Sequence, residues 1–440
     1  MSIRRISGIS DPFRRLLIAC QRFSLGTAAV LFLAFLCPDF SNAAPVQLKH
    51  DTGGWQLLVD HKPYVVKGIC YYPTKVGESP HDGNWRDWAT VDDDHNGRND
   101  MAYQSFVDKN RNNRQDPDEP TVGDVRLLQE LGCNTLRIYH HSSANPRIQA
   151  IYKGIDEAEL LYNHAPNKAL FRDLFKTYGI RVAMGDFIGA YTGGSGAQWD
   201  PGTDYNDPVQ RANMLASVED MVKEFRHEPY ILVWILGNEN NYELTHTNAR
   251  QFPEVYAKFV NQLSRRIHQL DPDHPVVLCN GDTQFMSAYA HFAPDIDIFG
   301  VNSYPDKPFG ALWEDIAKGL NKPVLVTEFG EGKPEFVGED IDEDYQAQRI
   351  SGAWCDIERH TAGRQPPQNS LGGFVFTWLD DWWQSWDPTT HNRGQNGWDQ
   401  EYMGLASQGD GSLSPFLRQL RKSYYALQSY WNGQAACPEN

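Results

Sequence analysis

The sequence predicts a (β/α)8 TIM barrel with an N-terminal β-hairpin and long loops at the carboxyl ends of its strands. Strand-like and helix-like segments alternate from residue 46 to the C-terminus, which favours right-handed βαβ units and a parallel sheet. Eight strand candidates can be counted, the number that closes such a barrel. An open, doubly wound sheet is the alternative, but no G-x-G-x-x-G motif follows the first strand.

The elements follow in order. A hairpin at residues 46–60 turns at Gly53 and Gly54, and we expect it to cover the bottom of the barrel. The predicted strands are short apolar runs, as expected for strands covered on both faces, at residues 64–71, 134–139, 180–184, 231–236, 276–278, 296–301, 323–327 and 373–377. The predicted helices lie at residues 122–131, 167–178, 208–226, 253–270, 310–320, 345–360 and 414–430, while residues 283–291 give no clear pattern.

Long connections follow the first, third and eighth predicted strands, at residues 73–120, 186–207 and 380–413. They are rich in Trp, Tyr, Asp, Asn and Gly, as binding loops are. Residues 44–440 are predicted to form a single domain with the first of these loops as an acidic insertion.

The first 43 residues have the pattern of a secretory signal peptide. Five arginines precede an apolar stretch at residues 25–37, and Ser41-Asn42-Ala43 offers small residues for cleavage after Ala43. A membrane anchor is the alternative. Cleavage changes the formal net charge from −17 to −20, because five Arg and two Asp are removed. So acidic a protein is not expected to bind nucleic acid, and we expect secretion or a periplasmic location with no stable membrane insertion.

Five cysteines remain after cleavage: Cys70, Cys133, Cys279, Cys355 and Cys437. An oxidising compartment would allow one disulfide, for instance Cys355 with Cys437, although the sequence alone does not assign the pair.

Two carboxylates stand at the ends of two predicted buried strands. Glu239 closes the run that begins at Ile231, and Glu328 closes the run that begins at Pro323. The carboxyl ends of barrel strands carry the catalytic groups of TIM-barrel enzymes. Hydrolysis of a glycosidic bond with retention needs two carboxyl groups about 5 Å apart, one a proton donor and the other a nucleophile. The two glutamates therefore predict a retaining glycosidase.

Motifs at other strand ends support this interpretation: KGICY at 67–71, NTLR at 134–137, FGVNSY at 299–304 and GGFVFTW at 372–378. Together with the two acid motifs, they resemble the strand ends of clan A glycoside hydrolases, most closely the catalytic barrel of glycoside hydrolase family 2. The chain is also similar to the family 72 transglycosylases, which remodel β-1,3-glucan with the same acid pair.

The resemblance implies roles for individual residues. Glu239 becomes the acid/base and Glu328 the nucleophile. Arg137 and Tyr304 would hold the nucleophile ionised, which a cation and a phenol donor both favour. Asn238 would bind the 2-hydroxyl of the sugar. Trp378 would form the floor of the sugar site next to the scissile bond.

Two further polar residues are candidates for sugar binding. His140 follows the second predicted strand, and Asp186 ends the third. Buried structural roles are as plausible for both as contact with sugar.

The first long loop contains two stretches with the spacing of calcium-binding loops. Residues 108–119 place oxygen ligands at alternate positions, at Asp108, Asn110, Asn112, Asp116 and Glu119, with the carbonyl of Arg114 between. Residues 92–100 repeat the pattern at Asp92, Asp94, Asn96 and Asp100. Structural Ca²⁺ is the expectation, and a solvated acidic loop is the alternative. No cofactor is expected in catalysis.

The sequence thus predicts a secreted retaining β-glycoside hydrolase acting on a β-linked oligo- or polysaccharide. A β-glucan transglycosylase with the same covalent intermediate is one alternative. A catalytically inert carbohydrate-binding barrel is another, which the intact acid pair disfavours.

Overall fold

Eight parallel strands close into a barrel in the computed structural model, which describes residues 45–79, 86–141, 167–304, 309–385, 387–394 and 397–438. The barrel strands, numbered one to eight in chain order, are Val66–Cys70, Thr135–Ile138, Arg181–Asp186, Ile231–Leu236, Val276–Asn280, Ile298–Asn302, Val324–Phe329 and Ser370–Val375. Strand eight pairs with strand one, with Gly372 beside Val66. The predicted (β/α)8 barrel is confirmed. The predicted signal peptide lies outside the described residues.

A helix follows each barrel strand and covers the outside of the sheet. The eight helices are Asp124–Leu131, Lys168–Tyr178, Pro208–Phe225, Pro253–Leu270, Met286–Phe292, Leu312–Gly319, Glu343–Arg359 and Lys422–Trp431. Local sequence explains where these helices begin. Asp207, for example, accepts the backbone N–H groups of Val209 and Gln210, and Pro208 occupies the first helical position. The unclear segment at residues 283–291 overlaps the helix Met286–Phe292.

The predicted helix at residues 414–430 is wrong in its first part. The chain forms a strand at Leu417–Leu420, which pairs with Phe106–Val107 and Ala406–Ser407, and only then the helix Lys422–Trp431. Tertiary pairing overrides the helical pattern here, because Arg418 is fully buried and forms a two-pronged ion pair with Asp124 (2.8 and 3.0 Å).

The N-terminal hairpin is confirmed and lies at the bottom of the barrel. Val46–Asp51 pairs with Gly54–Val59, and a third strand, Lys62–Tyr64, extends the sheet. The backbone N–H of Val46 donates to the carbonyl of Asp273, just before strand five, and that of Trp55 donates to Gln368, just before strand eight.

Smaller elements lie in the loops. They are the helix Asp100–Gln104, the strand pair Phe336–Val337 and Asp340–Ile341, and 3-10 turns at Ala190–Thr192, Glu243–Thr245, Trp382–Gln384 and Gln400–Tyr402. Cys355 and Cys437 form a disulfide, while Cys70, Cys133 and Cys279 are buried free thiols. In the part of the chain that is described, no helix combines the length and apolar character needed to cross a bilayer.

The apolar residues divide between two layers. One cluster fills the barrel interior, including Val66, Ala183, Val233, Val277 and Leu325. The other lies between strands and helices and is the larger. Every residue of strand four is buried, which explains the continuous apolar run in the sequence. The rigid barrel thereby fixes the strand ends on which the acids stand.

Candidate active site

The two glutamates lie at the carboxyl ends of strands four and seven. Glu328 belongs to strand seven itself, whereas Glu239 follows strand four after a tight turn. Gly237 (φ 80°) and Glu239 (φ 57°) both adopt left-handed backbone conformations there. A Cβ on Gly237 would lie 2.4 Å from Asn240 Oδ1, so glycine is required. A left-handed Glu is strained, and backbone strain of this kind concentrates at functional sites.

Glu328 accepts three hydrogen bonds from side chains at the ends of strands two and six. Arg137 Nη1 (2.9 Å) and Tyr139 Oη (2.7 Å) donate to Oε1, and Tyr304 Oη (2.5 Å) donates to Oε2. The pair of Arg137 and Glu328 is almost fully buried. Donors and a cation around a carboxylate favour its ionised form. The structure thus brings together Arg137, Tyr304 and Glu328 as the sequence predicts.

Sequence reasoning missed Tyr139 as a partner of Glu328. Tyr139 stands two residues after Arg137, and alternate residues of a strand point to the same face. That spacing was the available signal. The Arg137 guanidinium also lies over the Tyr139 ring, 4.1 Å from its centroid, and so holds the phenol in place.

Glu239 has a poorer hydrogen-bonding environment. Asn302 Nδ2 donates to its Oε1 at 3.0 Å, the single side-chain hydrogen bond to this carboxyl group within the described residues. Burial, followed by the charge of Glu328, raises the pKa of Glu239 to about 7, although Asn302 and Arg137 act in the opposite direction. A carboxyl group in this state can donate a proton at neutral pH. Asn302 was not singled out from the sequence.

An amide and thiol network links the two acids. Asn238 Oδ1 accepts from Arg137 Nη2 (2.8 Å) and Asn302 Nδ2 (3.1 Å), which turns the Asn238 amide nitrogen toward Tyr191 Oη (3.4 Å). Cys279 Sγ lies 3.3 Å from both Arg137 Nη2 and Asn302 Oδ1. The Asn238 amide nitrogen thus donates to Tyr191, and its contact with the sugar 2-hydroxyl stays a prediction.

The barrel and its acid pair have a counterpart among known protein families. Residues 108–348, more than half of the chain, match the model described as "Glycosyl hydrolases family 2, TIM barrel domain". The chain belongs to glycosyl hydrolase family 2.

Relatives of known name are distant. A β-galactosidase of Leuconostoc mesenteroides is 21% identical over 60% of this chain, which spans about a fifth (20%) of that protein's length. The structure of the β-D-glucuronidase of Dictyoglomus thermophilum matches with a TM-score of 0.52 and 14% identity, over 90% of this chain and 55% of that protein. The Bifidobacterium dentium β-glucuronidase matches with a TM-score of 0.52 and 16% identity, over 88% of this chain and 49% of that protein. A family 2 β-galacturonidase of Eisenbergiella tayi matches with a TM-score of 0.50 and 15% identity, over 90% of this chain and 55% of that protein. These likenesses show the fold.

The structure does not bring Trp378 close to the acid pair, Glu239 and Glu328. Trp378 is fully buried in the outer layer, where its ring faces Tyr424 of the last helix (6.2 Å between centroids). Phe376, two residues earlier, packs with the inner cluster and meets the ring of Tyr304 edge-on (6.1 Å). The expectation for Trp378 as the sugar-site floor is therefore wrong in placement, and Phe376 occupies that side.

His140 and Asp186 lie together at the ends of strands two and three, both buried. His140 Nδ1 accepts the backbone N–H of Phe187 (3.1 Å), and Asp186 Oδ2 accepts the Ser217 hydroxyl (2.7 Å). His141 Nδ1 lies 3.6 Å from Asp186 Oδ2. Burial raises the pKa of Asp186. Contact of His140 and Asp186 with sugar stays a prediction, since their described bonds are to protein groups.

The first acidic stretch folds into a compact turn around Asp92. Its two oxygens accept the backbone N–H groups of Asn96 (3.0 Å) and Gly97 (2.8 Å), and Asp94 Oδ1 accepts from Asn96 at 3.1 Å. Asp92, Asp94 and Asp100 each offer one oxygen, and these oxygens lie within 4.8 Å of one another. Burial, together with the neighbouring carboxylates, raises the pKa of Asp100.

The second acidic stretch repeats the turn around Asp108. The two Asp108 oxygens accept the backbone N–H groups of Asn112 (3.1 Å) and Asn113 (2.9 Å). The amide nitrogens of Asn110 and Asn112 both donate to Asp116 Oδ2 (2.8 and 2.9 Å). The backbone hydrogen bonds to Asp108 match those to Asp92, so the two stretches have the same loop conformation.

Glu119 and Arg114 complete the second copy. The Glu119 oxygens accept the backbone N–H groups of Lys109 (2.6 Å) and Asp116 (3.0 Å), so this buried carboxylate closes the loop. The Arg114 backbone N–H donates to Asn112 Oδ1 at 2.9 Å. All the residues predicted as ligands are thus gathered in two small loops.

Proposed function

We propose that this chain is a retaining β-glycoside hydrolase that cleaves a β-linked oligo- or polysaccharide by double displacement. The supporting observation is the unequal environment of its two carboxyl groups. Glu328 is surrounded by a cation and two phenols that favour the carboxylate, while burial raises the pKa of Glu239 to about 7. This difference in surroundings supports Glu328 as the nucleophile and Glu239 as the acid.

In the first step, Glu328 attacks the anomeric carbon. The bond from that carbon to the glycosidic oxygen breaks, and the proton of Glu239 passes to the leaving oxygen. The product is a glycosyl ester on Glu328 and a released alcohol. The amide N–H of Asn238 would bind the sugar 2-hydroxyl during this step, a contact that strengthens in the transition state.

In the second step, ionised Glu239 removes a proton from water, and the resulting hydroxide equivalent attacks the anomeric carbon. The ester bond breaks and Glu328 returns as carboxylate. If a sugar hydroxyl replaces water, the same step gives transglycosylation. The proportion of transfer products formed at high acceptor concentration measures which acceptor is used.

The stereochemistry of azide rescue tests both roles at once. With Glu328→Ala, azide replaces the nucleophile and we expect an α-glycosyl azide from a β-linked aryl glycoside. With Glu239→Ala, azide attacks the glycosyl ester and we expect a β-glycosyl azide. Glu335→Gln, an exposed acid in the loop after strand seven, serves as control and should retain activity. Full activity of Glu328→Ala without azide, or reversed azide anomers, would contradict the assignment.

We also propose that the paired acidic loops bind structural Ca²⁺. The ligands would be oxygens of Asp92, Asp94, Asn96 and Asp100 in one loop, and of Asp108, Asn110, Asn112, Arg114, Asp116 and Glu119 in the other. Hard oxygen donors at alternate positions suit this ion. The ion would order the loop and take no part in bond cleavage.

Chelation measures this directly. EDTA should lower the Tm of the protein, and Ca²⁺ should restore it. Asp92→Asn and Asp108→Asn should each reduce the response, whereas Asp118→Asn, an exposed neighbour, should leave it unchanged. A Tm insensitive to EDTA would remove the calcium proposal and leave the glycosidase proposal untouched.

We further infer export to the periplasm or the medium. The signal-like pattern of residues 1–43 supports it, and so does the disulfide between Cys355 and Cys437, because disulfides persist in oxidising compartments. The measurement is cell fractionation with mass spectrometry of the N-terminus. A mature protein beginning at Ala44 outside the cytoplasm is the expected result, and an uncleaved cytoplasmic protein would contradict it.

A further inference from the structure

The turn after strand four needs support from outside its own backbone. Glu239 has a left-handed conformation there (φ 57°), and so has Gly237 two residues earlier (φ 80°). Such a conformation is strained for a residue other than glycine, and it persists only where the surrounding contacts over-determine it. The atoms that hold this turn therefore decide where the carboxyl group of Glu239 lies.

The side chain of Asn240, which is 1% exposed, supplies contacts on both sides of the turn. Its Oδ1 accepts the backbone N–H of Asn238 at 2.8 Å. Its Nδ2 donates to the backbone carbonyl of Phe187 (3.0 Å) and to Tyr205 Oη (2.8 Å). A backbone N–H only donates and a carbonyl only accepts, so these partners fix the orientation of the amide. Glu239 thus lies between two residues that are joined to each other.

The partners of Asn240 belong to the long loop after strand three, the neighbour of strand four in the barrel. Phe187 directly follows strand three. The hydroxyl group of Tyr205, a fully buried residue, donates to the backbone carbonyl of Ile188 at 2.8 Å. The same carbonyl lies 3.3 Å from Asn240 Nδ2. These buried hydrogen bonds join the turn that carries Glu239 to the backbone of the adjoining loop.

This loop also reaches the side chain of Asn238. Tyr191 Oη accepts a hydrogen bond from Asn238 Nδ2 (3.4 Å), and the Tyr191 ring meets the Phe187 ring edge-on, with 5.4 Å between centroids. Asn238 is therefore held by its backbone N–H through Asn240, and by its amide nitrogen through the loop that Asn240 holds. Loss of the Asn240 amide would release the residues on both sides of Glu239.

We propose that Asn240 is a positioning residue for proton transfer, because it fixes the turn from which Glu239 reaches the glycosidic oxygen. This rests on the glycosidase function proposed above. Asn240 acts through the turn and not on the sugar, since its amide oxygen and nitrogen are buried and bonded to protein groups. Displacement of a reacting group by about 1 Å costs on the order of 10²-fold in rate.

The dependence of kcat/KM on the leaving group tests the proposal. Asn240→Ala is compared with the wild type on aryl β-glycosides of the sugar that the wild type hydrolyses best. We expect kcat/KM to fall by about 10²-fold for a phenyl leaving group, which needs the proton of Glu239. For a dinitrophenyl leaving group, which departs without protonation, the loss should be less than about 5-fold. Equal losses for both leaving groups would overturn the proposal.

Tyr205→Phe is the second variant, and it decides the case if Asn240→Ala does not fold. It keeps the ring and removes only the hydroxyl group that Asn240 Nδ2 and the Ile188 carbonyl contact. We expect a loss of about 5-fold in kcat/KM for the phenyl glycoside and no change for the dinitrophenyl glycoside. A loss that is the same for both glycosides, or no loss, would contradict the clamp.

Asn261→Ala is the matched control. The Asn261 amide also accepts a backbone N–H, that of Asp295, and donates to Asp295 Oδ2 (both 2.9 Å), but it lies on the helix after strand four, outside the barrel. This variant should lower the Tm and leave both values of kcat/KM unchanged. A dependence on the leaving group in this control as well would show that general loosening causes the effect, and would overturn the proposal.

The outcomes separate this proposal from the glycosidase function on which it rests. If Glu239→Gln shows the dependence on the leaving group but Asn240→Ala and Tyr205→Phe do not, the glycosidase function stands and the positioning role is rejected. Mass spectrometry after incubation with 2-deoxy-2-fluoro glycosides reports a covalent sugar on Glu328. Absence of both labelling and turnover in the wild-type protein would reject the two proposals together.

Discussion

The surroundings of Glu328 and of Glu239 differ although both residues are glutamates on the same face of one barrel. Glu328 receives donors from Arg137, Tyr139 and Tyr304. Glu239 is partly buried beside that carboxyl group with one amide donor, Asn302. The contrast shows that two residues of the same type have different surroundings because other strands supply their partners. Removing elements of either environment is therefore the way to test the contrast.

The largest effect is expected from Glu239→Gln. The amide has no proton to give, so kcat for substrates with a poor leaving group should fall by on the order of 10³-fold. For substrates with activated leaving groups, the rate of bond cleavage should fall far less. In the wild-type enzyme kcat/KM should decline as pH rises through about 7, because Glu239 must be protonated, and this limb should vanish in the variant. Equal losses for good and poor leaving groups would contradict the acid role.

The same variant has a stability consequence of known sign. The pKa of Glu239 is about 7 when folded, against an ordinary value of 4.5. The unfolded chain therefore releases the proton first, and wild-type stability falls as pH rises from about 4.5 to about 7. Glu239→Gln should escape this loss and gain up to about 3 kcal/mol relative to wild type above pH 7. Denaturant melts at pH 4.5 and pH 8 measure the difference, and an identical gain at both would contradict burial as the cause.

A smaller effect is expected from Arg137→Lys, which keeps the charge but loses the forked geometry. One hydrogen bond to a charged group contributes about 1.5–3 kcal/mol, so kcat/KM should fall on the order of 10²-fold. The loss should appear as a lower kcat/KM for good and poor leaving groups alike, because the contact of Arg137 is with the nucleophile Glu328. Arg126→Lys, on the exposed face of the first barrel helix, is the matched control. An unchanged kcat/KM would mean that the contact between Arg137 and Glu328 does not contribute to catalysis.

The smallest effect is expected from the two phenols. Tyr139→Phe and Tyr304→Phe each remove one donor to Glu328 while keeping the ring, so each should lower kcat/KM by about 10-fold. Their combined loss should differ from the sum of the single losses, since both act on one carboxylate. Steady-state kinetics of the double variant measure this coupling. Strict additivity would show that the two phenols act independently of each other.

Much of this site could be predicted from the sequence, and the exceptions have physical causes. Glu239, Glu328, Arg137 and Asn238 stand at ends of apolar runs, where local pattern carries the information. Sequence reasoning missed Tyr139, because strand alternation points to it only if residue 139 is known to face inward beyond the strand end. Asn302 lies at the end of strand six, and nothing in its neighbourhood indicates the acid that it meets.

Residues 373–378 show most clearly which features the sequence does not determine. Phe374 and Phe376 join the inner cluster, while Val375 and Trp378 join the outer one. In a segment so rich in aromatic and β-branched residues, both faces look apolar, and the sequence does not distinguish them. The helix prediction for the C-terminal segment was wrong for a related reason. Leu417–Leu420 becomes a strand because it pairs with Ala406–Ser407 and Phe106–Val107.

The sequence by itself determined the alternation of strands and helices, the barrel, and the two acids that end strands four and seven. These depend on local periodicity and on the rule that strand ends share one face of a barrel. The tertiary structure alone decided the different surroundings of the two acids. Arg137 and Glu328 are separated by 191 positions and meet only when the barrel closes, and burial of Glu239 exists only in the folded chain. The feature that gives the two glutamates different chemistry is thus a property of packing.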